Sequence, residues 1–163
     1  MDTTRIVHAS GAFEVEAARS LFEEYAVGLD LDLGFQGFAA ELATLPAAYA
    51  PPRGALLLAV DGEAVLGCVG LRSLEWPDVA ELKRLFVRPE GRGRRLGRLL
   101  SEAALTRARQ IGYRRVRLDT LPAMGAAQQL YEELGFHEID AYRFNPAEGT
   151  RFMELELCGG PRR

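Results

Sequence analysis

Apolar positions recur in two rhythms along this chain, and the rhythm changes where one element gives way to the next. Ala17, Ala18, Leu21, Phe22 and Tyr25 fall three or four apart between Glu14 and Val27, the spacing of one face of an amphipathic helix. The same spacing returns at Leu96, Leu99, Leu100, Ala103, Ala104 and Ile111, which predicts a helix from Leu96 to Ile111 that Gly112 is placed to end. A third stripe runs from Met124 to Leu134 and closes at Gly135. Phe38 to Leu45 carries a shorter one, stopped by Pro46. Short apolar runs predict strands at Arg5–His8, Ala55–Val60, Ala64–Leu71, Glu81–Val87, Arg115–Asp119, Glu138–Phe144 and Arg151–Leu157.

The connections are punctuated as turns. Asp61-Gly62 is a two-residue hairpin signal, and Pro51-Pro52-Arg53-Gly54 and Trp76-Pro77-Asp78 redirect the chain before strands. Leu29 to Phe38 mixes glycine, aspartate and apolar residues without a clean period and reads as a loop. Strands in series, then strand–helix–strand–helix and terminal strands, imply an α/β architecture in which a mixed sheet carries helices on both faces. With 163 residues and no repeat or linker, residues 1–163 are expected to form one domain.

Composition narrows the function classes. Hydrophobic content of 48% and charged content of 26% are those of an ordinary globule. A net charge of −3 argues against bulk nucleic-acid binding, which calls for a basic domain. No apolar run approaches the roughly 20 residues that span a bilayer. The start Met1-Asp-Thr-Thr-Arg-Ile-Val also lacks a basic-then-apolar signal segment, so a cytoplasmic protein without a membrane partner is expected. Cys68 and Cys158 lie in apolar contexts and read as reduced core thiols. His8 and His137 have no ligand spacing, and no metal site is expected.

The chemistry concentrates between Val87 and Leu100. Pro89 ends a strand, Leu96 begins a helix, and Gly91, Gly93 and Gly97 let the backbone turn tightly between them. The first amides of a helix have no internal partner and sit at the positive end of its dipole, which suits a phosphate. Arg92, Arg94, Arg95 and Arg98 add charge of the matching sign, while Leu96 and Gly97 offer amides. The turn lacks the Gly-Lys-Ser/Thr ending of a P-loop and the three-glycine spacing of a dinucleotide fingerprint. An ordinary strand–helix connection with a solvated basic face would show the same glycines.

Three segments in register carry a resemblance. Val-x-Pro-x-x-Arg-Gly-x-x-Leu-Gly-x-x-Leu, from Val87 to Leu100, resembles the acyl-CoA-binding signature of the GNAT N-acetyltransferase superfamily. Ala127-Gln-Gln-Leu-Tyr131-Glu-Glu-Leu-Gly135-Phe136 resembles that family's Ala-x-x-Leu-Tyr-x-x-x-Gly-Phe segment, and Ala80-Glu81-Leu82 the start of the strand that carries a catalytic glutamate in some members. The resemblance implies a mostly antiparallel sheet whose central strands splay apart around acyl-CoA. It implies direct attack of an acceptor amine on the thioester of acetyl-CoA. Glu81 is then the candidate base and Tyr131 the candidate acid. Backbone amides of Leu85, Phe86 and Val87 would polarise the carbonyl. The amides of Arg92, Gly93, Arg94, Arg95, Leu96 and Gly97, with Arg98 beside them, would hold the diphosphate, and Met124 and Ala127 would line the pantetheine arm.

Two departures stand out. Arg95 occupies a position where many members have glycine, so the loop must avoid a left-handed residue there or tolerate it. Met124 replaces an asparagine that often meets the pantetheine. For the acceptor, Phe35 and Tyr142 lie in the variable segments, and Lys83 and Arg84 could hold a carboxylate, although pairing with Asp or Glu on neighbouring strands is the favoured reading of both. Glu81 could likewise be a strand glutamate paired with Lys83, and Tyr131 a core residue. The acceptor is expected to be a small-molecule amine, with a protein N-terminus or lysine as a second option and a non-catalytic acyl-CoA sensor as a rival class. A homodimer through the late strands is common among relatives.

Overall fold

The computed structural model describes residues 3–29 and 33–157, the side chains of Phe35 and Gln36 excepted. Strand β1 (Thr4–His8) leads into helix α1 (Ala12–Leu29), whose entry is held by the Glu14 carboxylate accepting the amides of Ser10 and Gly11. A 3-10 turn at Leu33–Gln36, helix α2 (Phe38–Thr44) and a second 3-10 turn at Ala47–Tyr49 follow. Strands β2 (Ala55–Asp61), β3 (Ala64–Ser73) and β4 (Val79–Val87) form an antiparallel meander. Then come α3 (Leu96–Ile111), β5 (Arg115–Thr120), α4 (Gly125–Glu133), β6 (His137–Ile139) and β7 (Arg151–Glu156).

The seven strands make one sheet in the order β1-β2-β3-β4-β5-β7-β6, antiparallel throughout except where β4 meets β5. Strand β2 is apolar at consecutive positions because both of its faces are covered. Ala55, Leu57 and Ala59 join Leu96, Leu100, Ala104 and Tyr131 under α3 and α4. Leu56, Leu58 and Val60 meet Leu21, Phe22 and Tyr49 under α1 and α2. Leu21 and Phe22 are fully buried, each worth about 1.5–3 kcal/mol of burial. Gly70 is needed on this second face, because a Cβ there would lie 2.5 Å from the Tyr49 ring.

The predicted helices and most strands are present, and α3 ends on left-handed Gly112, whose amide donates to Ala108 and Arg109. Two expectations need correction. Asp61 still pairs with Ala64, so the hairpin loop is Gly62-Glu63 rather than Asp61-Gly62. The strand expected over Glu138–Phe144 stops at Ile139, and residues 140–150 leave the sheet. Its alternation is broken because Tyr142 and Asn145 are drawn back over the sheet to acidic partners on β4 and β5. Residues 29–38 are not wholly loop, since they include the 3-10 turn at Leu33–Gln36.

One irregularity positions everything that follows. Cys68 pairs with Phe86 and Gly70 with Lys83, so Arg84 and Leu85 together oppose the single residue Val69. Arg84 is left-handed, with φ 62°. This is a β-bulge, which bends its strand and breaks the side-chain alternation. Its carbonyl accepts the Cys68 thiol at 3.3 Å, and burial pushes that thiol's pKa up, so Cys68 is an inert core group. Cys158 lies outside the described residues.

Candidate active site

Strand β4 pairs with β5 only at Val79, Ala80 and Glu81, which meet Arg115, Val116 and Arg117. Beyond Glu81 no further pairing joins the two strands, and the bulge at Arg84 bends β4. Backbone groups of β4 that point toward β5 beyond Glu81 therefore face a cleft instead of a ladder. Leu85, Asp119, Thr120, Tyr131 and Met124 are among the residues that line it. The opening lies between strands that are otherwise held by long ladders on their outer sides.

The head of α3 lies beside α4, where a Cβ at Gly97 would stand 3.7 Å from the Leu130 side chain. Arg92 is extended, Gly93 has φ 79°, and Arg95 at the N-cap is left-handed with φ 60°. The loop thus tolerates a non-glycine in the conformation that glycine favours, at a cost of roughly 1–2 kcal/mol. No side chain caps the helix, so its first amides remain available to an external acceptor. A Cβ at Gly93 would meet nothing within 4 Å, which marks open space beside those amides. The arginines divide. Arg94 reaches Asp61 at 2.9 Å and also Thr4, tying the loop to the β1–β2 edge, and Arg98 bridges to Glu102 and Glu133 on α3 and α4. Arg92 and Arg95 are exposed, and Leu96 is buried in the core, so it contributes only its amide.

The two walls of the cleft differ in character because strand side chains alternate between faces. On the α3–α4 side stand Tyr131 and Thr120. Tyr131 packs edge-on to Phe136 with centroids 5.6 Å apart and is 5% exposed. Burial pushes its pKa up, reinforced by Tyr25 and Asp119, so the phenol stays protonated. Thr120 is buried and its hydroxyl has no partner, an orphaned group aimed at the opening. Met124, half-buried at the head of α4, and Ala127 flank this wall.

On the α1–α2 side stand cations and acids. The bulge places Lys83 and Arg84 on the same face, where a regular strand would separate them. Arg84 forms a bidentate pair with Glu41 at 2.8 and 2.9 Å, and its guanidinium lies over Phe38 and Tyr25 at 5.1 and 5.7 Å. Burial alone would raise the Glu41 pKa, but Arg84 and the Tyr49 hydroxyl hold it below the usual carboxylate value. Lys83 is 5% exposed, and its pKa is lowered to about 7, first by burial and then by Arg84 and Arg72. Asp119 and Glu41 oppose that shift.

Glu81 sits deeper and is fully buried. One carboxylate oxygen accepts Arg72 through Nε at 3.0 Å and Nη2 at 2.9 Å. The other accepts the Tyr142 hydroxyl at 2.6 Å and pairs with Arg143. Both oxygens are therefore spoken for, and Glu81 acts in this arrangement as the counter-ion that fastens residues 142 and 143 across the sheet.

These features have counterparts in known proteins. The sequence matches the family model described as "Acetyltransferase (GNAT) family" over residues 16–136. This chain belongs to the GNAT acetyltransferase family. An uncharacterized N-acetyltransferase of Schizosaccharomyces pombe is 37% identical over 145 residues, covering 88% of this chain and 89% of that protein. The GNAT fold is also that of an acetyltransferase from Streptococcus agalactiae, with a TM-score of 0.78 at 24% identity over 96% of this chain and all of that one. A structure of a Salmonella typhimurium putative acetyltransferase with its cofactor acetyl-CoA has a TM-score of 0.67 at 18% identity, covering 99% of this chain and 98% of that one. As a GNAT member the protein is an acyltransferase enzyme, and its splayed, mostly antiparallel sheet is the one its motifs imply.

Within this GNAT chain the expected site residues are partly gathered. Tyr131, Leu85, Lys83, Arg84 and Met124 share the cleft, and the loop from Arg92 to Gly97 is not among its lining residues. Tyr142 reaches the same face but spends its hydroxyl on Glu81. The expected Glu81–Lys83 alternative is replaced by pairing with Arg72 and Arg143, and the Arg84 fork goes to Glu41 on a helix, not to a neighbouring strand. The side chain of Phe35 lies outside the described residues. In the sequence Asp119 and Tyr25 stand out only as members of their strand and helix, Asn145 only as the end of the variable segment from Tyr142, and Thr120 not at all. A polar pair ending an otherwise alternating strand, Asp119-Thr120, was the available signal. No group of three or more metal-ligating side chains occurs among the described residues. No helix there is long and apolar enough to cross a membrane.

Proposed function

We propose that this GNAT enzyme moves the acetyl group of acetyl-CoA to the primary amine of a small metabolite by direct attack of the amine on the thioester. The observation that carries the reading is the parting of β4 from β5 beside an uncapped α3, with Tyr131 on the wall between. The uncapped amides and open space at Gly93 fit a diphosphate, and the apolar walls at Met124 and Ala127 fit an aliphatic arm. Acetyl-CoA, when bound, supplies a thioester already activated toward amines.

The chain's own residues do the rest. Amides from Arg92 to Gly97 hold the diphosphate, and the β4 amides of Leu85 and Val87, which alternate away from β3, donate to the oxygen on which negative charge develops. Tyr131, kept protonated by burial, supplies the proton for the departing thiolate. The acceptor enters from the α1–α2 face, where Asp119 offers a charge to an ammonium. Residues 142–145 cross that face through Tyr142–Glu81 and Asn145–Asp119 hydrogen bonds, which leaves a pocket instead of a long groove and favours a small acceptor over a polypeptide.

A thiol-release assay with acetyl-CoA against a panel of amines, amino acids and short peptides tests this reading. Turnover with at least one small amine is expected. Turnover confined to peptides would overturn the acceptor class, and CoA binding without turnover on any amine would point to a sensor.

A further inference from the structure

We infer that Lys83 takes the proton from the acceptor's ammonium and so creates the amine that attacks. The inference rests on the function proposed above and adds the group that starts the reaction. Its basis is placement. Lys83 is the last residue before the bulge and the second beyond the final β4–β5 pair, so its side chain stands at the opening between the strands. It lies on the face opposite Tyr131, and the two line the same cleft. A thioester approached from the Tyr131 side and an amine approached from the Lys83 side meet in the gap.

The alternatives on this face are engaged otherwise. Glu81 is sealed beneath Tyr142 and Arg143, and both of its oxygens are used. Glu41 is committed to Arg84 and Tyr49. Asp119 accepts Asn145 at 3.3 Å and stands across the cleft as a counter-ion for an incoming ammonium. The charged and titratable groups around Lys83 are Arg84 on its own strand, Arg72 on β3, Asp119 on β5, Glu41 on α2, Tyr25 on α1 and Tyr131 on α4. The bulge sets Arg84 on the same face, and with burial that neighbour makes the ammonium costly. With a pKa lowered to about 7, a substantial share of Lys83 is unprotonated near neutral pH.

The protons balance. The acceptor ammonium gives one proton to the neutral Lys83 amine, which becomes an ammonium and later returns it to water. The freed amine forms the C–N bond, the C–S bond breaks, and the second proton on nitrogen is matched by the one that Tyr131 passes to the thiolate. The products are the amide, the free thiol and one proton.

The test is the pH dependence of kcat/KM with the best acceptor from the panel, for wild type, K83M, K83R and D119N. For wild type an acidic limb with an apparent pKa near 7 is expected. K83M and K83R should lose about 100-fold or more in kcat while acetyl-CoA affinity changes less than about twofold. D119N removes a charge that favours protonated Lys83, so its limb should move to lower pH. A tertiary amine, which cannot itself be stably acetylated, should partly restore turnover to K83A. Intact-mass and melting measurements confirm that each variant is folded.

Full activity in K83M, or an unchanged acidic limb in K83R, overturns the inference and leaves the proposed function standing. So does acetylation of Lys83 itself by acetyl-CoA, which would show it to be a nucleophile. A wild type inactive on every amine fails the proposed function and this inference together.

Discussion

The head of α3 and the α1–α2 face of the cleft are built in opposite ways. The head of α3 works through backbone amides and glycine-permitted geometry, and nearly all of it lies between Val87 and Leu100. The α1–α2 face is built from side chains drawn from α1, α2, β3, β4, β5 and residues 142–145, fastened by buried ion pairs. The first is a local device that any chain with that string can form. The second exists only once distant segments have folded onto each other, and its charges are costly unless every partner is present. A ligand common to many relatives suits the first construction, and a ligand that differs among them suits the second.

Removing one member of the network on the α1–α2 face should therefore have the largest effect on stability. E81A leaves Arg72 and Arg143 without their buried counter-ion, and denaturant unfolding should show a loss of about 3–5 kcal/mol. The more conservative E81Q should lose less, because its amide oxygen keeps an acceptor for one of the two arginines. A variant as stable as wild type would mean that the network is ornamental.

Tyr131 tests the other wall. Y131F keeps the ring packed on Phe136 but removes the proton donor, and kcat should fall about 10²- to 10³-fold with acetyl-CoA affinity unchanged. A parallel loss of affinity would assign Tyr131 to binding.

Lys83 links fold stability to pH. Between about 7 and 10.5 the unfolded chain carries the Lys83 proton and the folded chain does not, so folding is favoured by raising pH across that window. Wild type should gain up to about 5 kcal/mol relative to K83M over this range, since each pKa unit is worth about 1.4 kcal/mol. A flat difference between the two would place the ammonium in a solvated site.

The smallest effect belongs to the α3 head. Arg95 holds a left-handed conformation that glycine adopts without penalty, so R95G should stabilise the fold by about 1 kcal/mol while leaving the amides in place. Weaker acetyl-CoA binding in R95G would show that the side chain, too, meets the ligand.

What could be read from the sequence follows the same division. The helices, the glycine-rich turn and the stripe that carries Tyr131 are encoded by spacing within a few turns of chain, and those helices are present where the pattern predicts them. Glu81, Lys83 and Arg84 were visible as chemistry but not as neighbours. A bulge shifts register by one residue without a distinctive residue type, so nothing in Glu81-Leu-Lys-Arg-Leu indicated that Lys83 and Arg84 would share a face. The departure of residues 140–150 from the sheet was equally hidden, because it depends on where Glu81 and Asp119 stand in the folded molecule.

Calorimetric titration of the wild-type protein with acetyl-CoA, set against acetyl-pantetheine, which lacks the diphosphate, tests the site most directly. One acetyl-CoA per chain is expected, with the fragment weaker by roughly tenfold or more, about 1.4 kcal/mol or above. Absence of binding, or equal affinity for the two compounds, would contradict the assignment of the α3 amides as the diphosphate grip.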